Sequence, residues 1–214
     1  MQTSEPSRLA TNQDFESLLE TMTLAFSDDP VWGGWAFPDR RRAFELRRAF
    51  FGLWLESSLR CQGLRVTRGC EAVAAWFPPG ESESTPEDER RLISTAKEPL
   101  GDRSVVFMEG CDLIEASHPK ARPHYYLSLI GTHPDHRGNG IGMTLLRENL
   151  ARIDTEGMPA YLESTNPRNN SRYEQLGFKK FGRFTLPGGG PSVDTMWREP
   201  RSVPGERQAA ARHE

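Results

Sequence analysis

Apolar residues fall at helical spacing from Phe15 through Leu18, Leu19, Met22, Ala25 and Phe26. Thr11 stands three residues before Asp14, so this first amphipathic helix opens on a capping box, after a short strand at Arg8 to Ala10. Asp28, Asp29 and Pro30 end it, and a loop carrying Trp32, Trp35 and Phe37 leads to a second helix from near Asp39, with Phe44, Phe51, Trp54, Leu55 and Leu59 as its buried stripe. Leu64 to Thr67 and Glu71 to Phe77 read as a hairpin turning at Gly69, closed by Pro78, Pro79 and Gly80. The acidic stretch from Glu81 to Arg90 reads as a solvated loop, followed by helical turns interrupted at Pro99 and Gly101 and running to about Ser117.

The texture changes after Pro123. His124 to Ile130 is a compact apolar run, then come glycines, a helix through Ile141, Leu145, Leu146, Leu150 and Ile153, and a strand at Ala160 to Ser164. That is a strand, helix, strand unit. A short helix near Asn169 to Leu176 stops at Gly177, and strands follow at Phe178 to Thr185 and Val193 to Arg198. From Glu199 the chain is polar with Ala and Pro and reads as a disordered tail. There is no internal repeat.

Composition narrows the partners. With 214 residues, 27 Lys plus Arg against 30 Asp plus Glu, and a net charge of −3, one domain is expected and a nucleic-acid partner is not. Cys61, Cys70 and Cys111 are odd in number and lack a C-x-x-C spacing, which argues against a disulfide framework and a zinc cluster and suits a reducing cytoplasm. The first residues show neither a basic patch nor an apolar core, and no stretch approaches the ~20 apolar residues that span a bilayer, so a cytoplasmic location without a membrane partner is expected.

The informative feature is Arg137-Gly138-Asn139-Gly140-Ile141-Gly142, after a strand and at the opening of a helix. Glycines let backbone approach a ligand, and their N–H groups with the helix N-terminus suit a pyrophosphate. Tight structural turning is the plain alternative. A Walker loop would need Gly-Lys followed by Ser or Thr, and a dinucleotide fingerprint would open a longer alternating pattern; neither is present.

Arg137-x-x-Gly140-x-Gly142 resembles the Arg/Gln-x-x-Gly-x-Gly/Ala acetyl-CoA motif of the Gcn5-related N-acetyltransferases (GNAT). The run from Tyr126 to Gly138 resembles the fourth strand and pyrophosphate loop of that family, particularly its branch related to puromycin N-acetyltransferase, as do Tyr161 to Asn169 and Tyr173 to Phe178 at matching spacing. The specific motifs cover residues 125 to 178. The resemblance implies an α/β (α+β) fold: a mixed, mostly antiparallel twisted sheet of about six to seven strands flanked by helices and splayed between the fourth and fifth. It would occupy residues 1–198 as one domain, with a coenzyme-binding core at 124–185 and a tail at 199–214.

The resemblance also implies roles for single residues. The acyl-pantetheine would lie against backbone groups of Ile130, Gly131 and Thr132, and the pyrophosphate against Arg137, Gly138, Asn139, Gly140, Ile141 and Gly142. Tyr173 matches the general acid beside the coenzyme sulfur, its phenol protonated at neutral pH, although packing of a helix face is the other reading. Asn169 matches a coenzyme contact and equally suits a helix cap. Glu163 is the first choice of base, against an exposed strand carboxylate; His124 is a weaker one. His133 and His136 have a superficial metal spacing, which the resemblance assigns to the coenzyme loop, so no metal is expected. Trp32, Trp35 and Phe37 either line an amine pocket or close the core. The expected activity is transfer from acetyl-CoA to a primary amine of a small molecule, in a monomer or homodimer. A peptide acceptor, or a non-catalytic acyl-CoA-binding module, are the alternatives.

Overall fold

A computed structural model describes residues 7–201. Seven strands form one sheet in the order β1-β2-β3-β4-β5-β7-β6: β1 Arg8–Leu9, β2 Leu64–Val66, β3 Ala72–Phe77, β4 Tyr125–Thr132, β5 Ala160–Ser164, β6 Lys179–Thr185 and β7 Ser192–Arg198. All neighbours are antiparallel except β4 and β5. That parallel pair is joined by a helix crossover, as parallel strands require.

Helix α1 (Phe15–Ala25) and α2 (Ala43–Arg60) cover one face of the sheet, with α3 (Pro86–Leu100) and α4 (Arg103–Ser117) beyond them. On the opposite face lie α5 (Ile141–Thr155) and α6 (Asn170–Gln175). β3 is buried throughout because alternate residues serve two cores: Val73 and Ala75 face α1 and α2, while Ala72, Ala74 and Trp76 face α5. Its alanines let helices approach closely from both sides.

Several elements depart from the pattern read in the sequence. The aromatic loop after α1 contains a π-type turn at Pro30–Trp35, with Asp29 accepting from the N–H groups of Val31 and Trp32. α2 begins at Ala43 rather than near Asp39, so Phe44 falls in its first turn and is exposed; the buried stripe is Leu46, Phe50, Phe51 and Leu55. The acidic stretch is only half loop, since Thr85 and Asp88 form a capping box that opens α3 at Pro86. Of the expected tail, Glu199 binds Arg122 and Arg201 N–H donates to Asp154; residues 202–214 lie outside the described residues.

The sheet opens at its centre. β4 pairs with β5 only from Tyr125 to Leu127, opposite Ala160 to Leu162. Beyond that point β4 stays with β3 and β5 stays with β7. A bulge at Ser128 helps part them: Leu127 faces Trp76 and Leu129 faces Ala75, leaving Ser128 as the extra residue.

Candidate active site

Where the strands part, the main chain of β4 loses its partner on one side. His133 N–H donates to Glu71 on the β3 side, and bonding direction alternates along an antiparallel ladder. Gly131 therefore points its backbone groups at β3, while Ile130 and Thr132 point theirs into the gap. Gly131 matters sterically instead: a Cβ there would lie 2.8 Å from both Met22 Sδ and Ala25 Cβ of α1.

The gap runs into a cavity of about 600 Å³ whose walls include Ile130, Thr132, Arg137, Gly138, Gly140 and Tyr173. The glycine turn lies along it at the start of α5. Gly138 and Gly140 have φ of 84° and 73°, a region that favours glycine. Among the described residues no acceptor meets the N–H groups of Gly140, Ile141 or Gly142, the orphan donors of a helix start that suit an anion. A Cβ on Gly142 would stand 2.4 Å from Thr132 Oγ1, so glycine also permits the close approach of α5 to β4. Arg137 donates to Ala25 O at 2.7 Å and ties the turn to the end of α1, while Arg168 and Arg172 line the same cavity. The unbonded N–H groups and these guanidinium groups fit the phosphates of a coenzyme A.

Asn139 is exposed in the turn, its amide donating to His136 O at 3.4 Å. Asn169 lines the cavity and accepts from Arg172 at 3.0 Å; it makes no side-chain cap, a role taken by Asn166 for the preceding turn. Tyr173 is buried against Phe178 and borders both the cavity and the gap. Burial, with the Asp29 charge second, pushes its phenol up to about 12, so it stays protonated.

A narrow cleft of about 40 Å³ joins this cavity to the other side of the gap, between Ile130, Asn169 and Tyr173 at one end and Trp32, Ser128 and Glu163 at the other. Glu163 lies at the base of the split on the face opposite α5. Its Oε1 is buried and has no hydrogen-bond partner. Burial raises the carboxyl to about 8, with the nearby Glu83 adding to the rise and the phenols of Tyr161 and Tyr126 opposing it. Asp29 closes the gap from above, accepting from Thr165 Oγ1 at 2.8 Å, and burial raises its pKa as well.

Not every expected residue joins the site. Trp32 is buried and lines the cleft. Trp35 lines neither it nor the large cavity: its indole N–H donates to Pro187 O at 2.9 Å and its ring stacks on Phe107. Phe37 is core, between Phe50 and Phe107. His124 has both ring nitrogens engaged, one with Arg122 O at 2.7 Å and one with His118 at 2.8 Å. His133 accepts from Asp135 N–H in a 3-10 turn, its ring 5.8 Å from that of His136.

Sequence reasoning missed Glu83 and Ser128. Ser128 Oγ donates to Glu83 Oε1, which draws the carboxyl inward; burial raises it to about 7, Ser128 opposes this and Glu115 adds to it. Nothing in the run Glu81-Ser-Glu-Ser marks one glutamate from the other. Asp29 was within reach, because an Asp directly before Pro is a helix-start signal.

Residues 100–180 match the family described as acetyltransferase (GNAT) domain. A Corynebacterium glutamicum structure described as histone acetyltransferase HPA2 and related acetyltransferase is 26% identical, with 94% of this chain and 99% of that chain covered and a TM-score of 0.67. An Aedes aegypti putative arylalkylamine N-acetyltransferase 7 aligns at 15% identity over 91% of this chain and 87% of its own, TM-score 0.57. A Drosophila melanogaster polyamine N-acetyltransferase, which forms N-acetylagmatine, aligns at 14% identity over 90% and 98%, TM-score 0.57. The fold is that of the GNAT acetyltransferases, with its seven-stranded, mostly antiparallel sheet and one parallel pair. No helix among the described residues is long and apolar enough to cross a membrane.

Proposed function

We propose that this chain, one GNAT domain over residues 1–198, is an N-acetyltransferase that moves the acetyl group of acetyl-CoA to the primary amine of a small molecule. The observation that carries this reading is the split between β4 and β5, bordered by unbonded backbone N–H groups on one side and by Tyr173 and Glu163 on the other. Acetyl-CoA supplies an activated thioester carbonyl. The N–H groups of Ile130 and Thr132 are the donors available to that carbonyl oxygen as it gains negative charge, a type of contact whose loss costs roughly 2.7 to 4 kcal/mol. Glu163 takes the proton that an ammonium must lose before it can attack, and Tyr173 holds the proton that a departing thiolate needs. The phosphate end is held by Arg137 and the backbone of residues 138–142.

Acceptor and donor then meet from opposite sides: the coenzyme cavity lies at the α5 end, the carboxyl on the α1 and α4 face. That arrangement supports direct attack with both substrates bound. The small-molecule acceptor draws support from the amine acetyltransferases among the structural neighbours, and the branch resemblance rests on the sequence motifs alone. Thiol release from acetyl-CoA, followed across a panel of small amines and peptides, tests the reading. Turnover with small amines is expected; activity confined to peptides would reject that acceptor class, and tight coenzyme binding with no turnover at all would reject catalysis.

A further inference from the structure

The β3 to α3 loop, the end of α4 and the start of β4 enclose a second cavity of about 400 Å³ on the Glu163 face of the sheet. Glu81, Glu83 and Glu115 line it. Against them stand Lys120 at the rim and Arg122, and Arg122 is taken up by both carboxylate oxygens of Glu199 at 2.8 and 3.0 Å while lying over Trp197. His118 and His124 add no charge: His124 Nδ1 faces a carbonyl and so carries its proton there, leaving Nε2 to accept from His118. Burial lowers the pKa of both rings, that of His118 to about 4 with the neighbouring His124 and Lys120 contributing. Among the described residues, no lysine or arginine forms an ion pair with Glu83, Glu115 or Glu163.

Glu83 links this cavity to the reaction site. It forms part of the cavity wall, and it binds Ser128, the bulged residue that lines the cleft with Glu163. In the cleft itself, Glu163 Oε1 is buried and has no hydrogen-bond partner, a second and separate sign that a donor is missing there. Unpaired carboxyls gathered in a cavity favour a cation whose arrival ionises them.

We infer that the acceptor is an amine bearing a second cationic group, with the reacting nitrogen at Glu163 and the distal cation held by Glu83 and Glu115. This rests on the acetyltransferase reading above, since it names the substrate class of the same site.

The test compares three acceptors of similar length on the full chain: butylamine, 1,4-diaminobutane and 4-aminobutanoate. The diamine should have a kcat/KM about tenfold or more above the monoamine, because one well-placed charge contact is worth that much, and the amino acid should be poorest. In Glu83→Gln the diamine to monoamine ratio should fall by about the same factor, through KM rather than kcat. Glu115→Gln, at an exposed position, should lower the ratio too and stands in for Glu83→Gln should that variant not fold. Equal kcat/KM for monoamine and diamine, or a preference that survives both substitutions, would overturn the inference while leaving the acetyltransferase reading intact. Absence of transfer to any amine would overturn both.

Discussion

Glu163 accepts a proton only when ionised, yet burial holds its carboxyl at about 8. With a subsaturating amine of pKa about 10.4, which stays almost wholly ammonium below about pH 9, kcat/KM should fall as pH drops through about 8, and Glu163→Gln should lose both that inflection and most of the rate. The same shift has a sign for stability. A carboxyl whose folded pKa exceeds its unfolded value near 4.5 supports the fold in its protonated form and weakens it as pH rises toward 8. The melting temperature of Glu163→Gln should therefore exceed that of the parent chain most clearly at pH 9; a constant difference from pH 5 to 9 would argue against a buried carboxyl. Tyr173→Phe should lower kcat by about a hundredfold with acetyl-CoA affinity unchanged, and equal turnover would remove the tyrosine as the acid. The sequence singled out Glu163 and Tyr173 because they stand inside an ordered set of motifs, and both line the cleft. Glu83 was not: its acidic and serine neighbours read as solvated, and its inward turn depends on a residue 45 positions away.

Elements were legible wherever periodicity met a clear start signal, a capping box before α1 and a glycine turn before α5, and less so where aromatic residues sit in short turns. Trp32 and Trp35 are three residues apart in one π-type turn, yet one faces the cleft and the other the Pro187 carbonyl; the sequence around them carries no sign of that divergence. Phe44 shares the stripe's spacing, seven residues before Phe51, yet in the first turn of α2 it is left exposed. In the proposed site the glycine turn meets the coenzyme through its backbone, so substitutions there should act through conformation. Gly140→Val, at φ 73°, should raise the acetyl-CoA dissociation constant by about tenfold or more, and unchanged affinity by calorimetry would detach the turn from the coenzyme. Gly131→Ala should instead destabilise the fold by about 1–3 kcal/mol in urea, since its Cβ meets Met22 and Ala25.

At the scale of the molecule, two cores are divided by a sheet that is continuous at one end and open at the other. The family resemblance implied the opening between the fourth and fifth strands; the bulge at Ser128 was not foreseen, because an extra residue in a strand leaves no mark in alternation over so short a run. The closed end is braced by a bidentate pair between Arg198 of β7 and Asp154 of α5, both contacts at 2.7 Å, with the Arg198 side chain 3% exposed. Arg198→Ala leaves the half-buried Asp154 carboxylate with only the Arg201 N–H, and the Leu176 carbonyl without its donor, and should cost about 1–3 kcal/mol in equilibrium unfolding. The open end has the opposite character. Its exposed ladder is half a sheet edge, and edges are read by hydrogen exchange: the amides of Ile130 and Thr132 should exchange freely in the chain alone, with Gly131 between them protected by β3. Acetyl-CoA should slow the outer two and leave the middle one as it was, so that a bound coenzyme is counted by the amide hydrogens as an eighth strand.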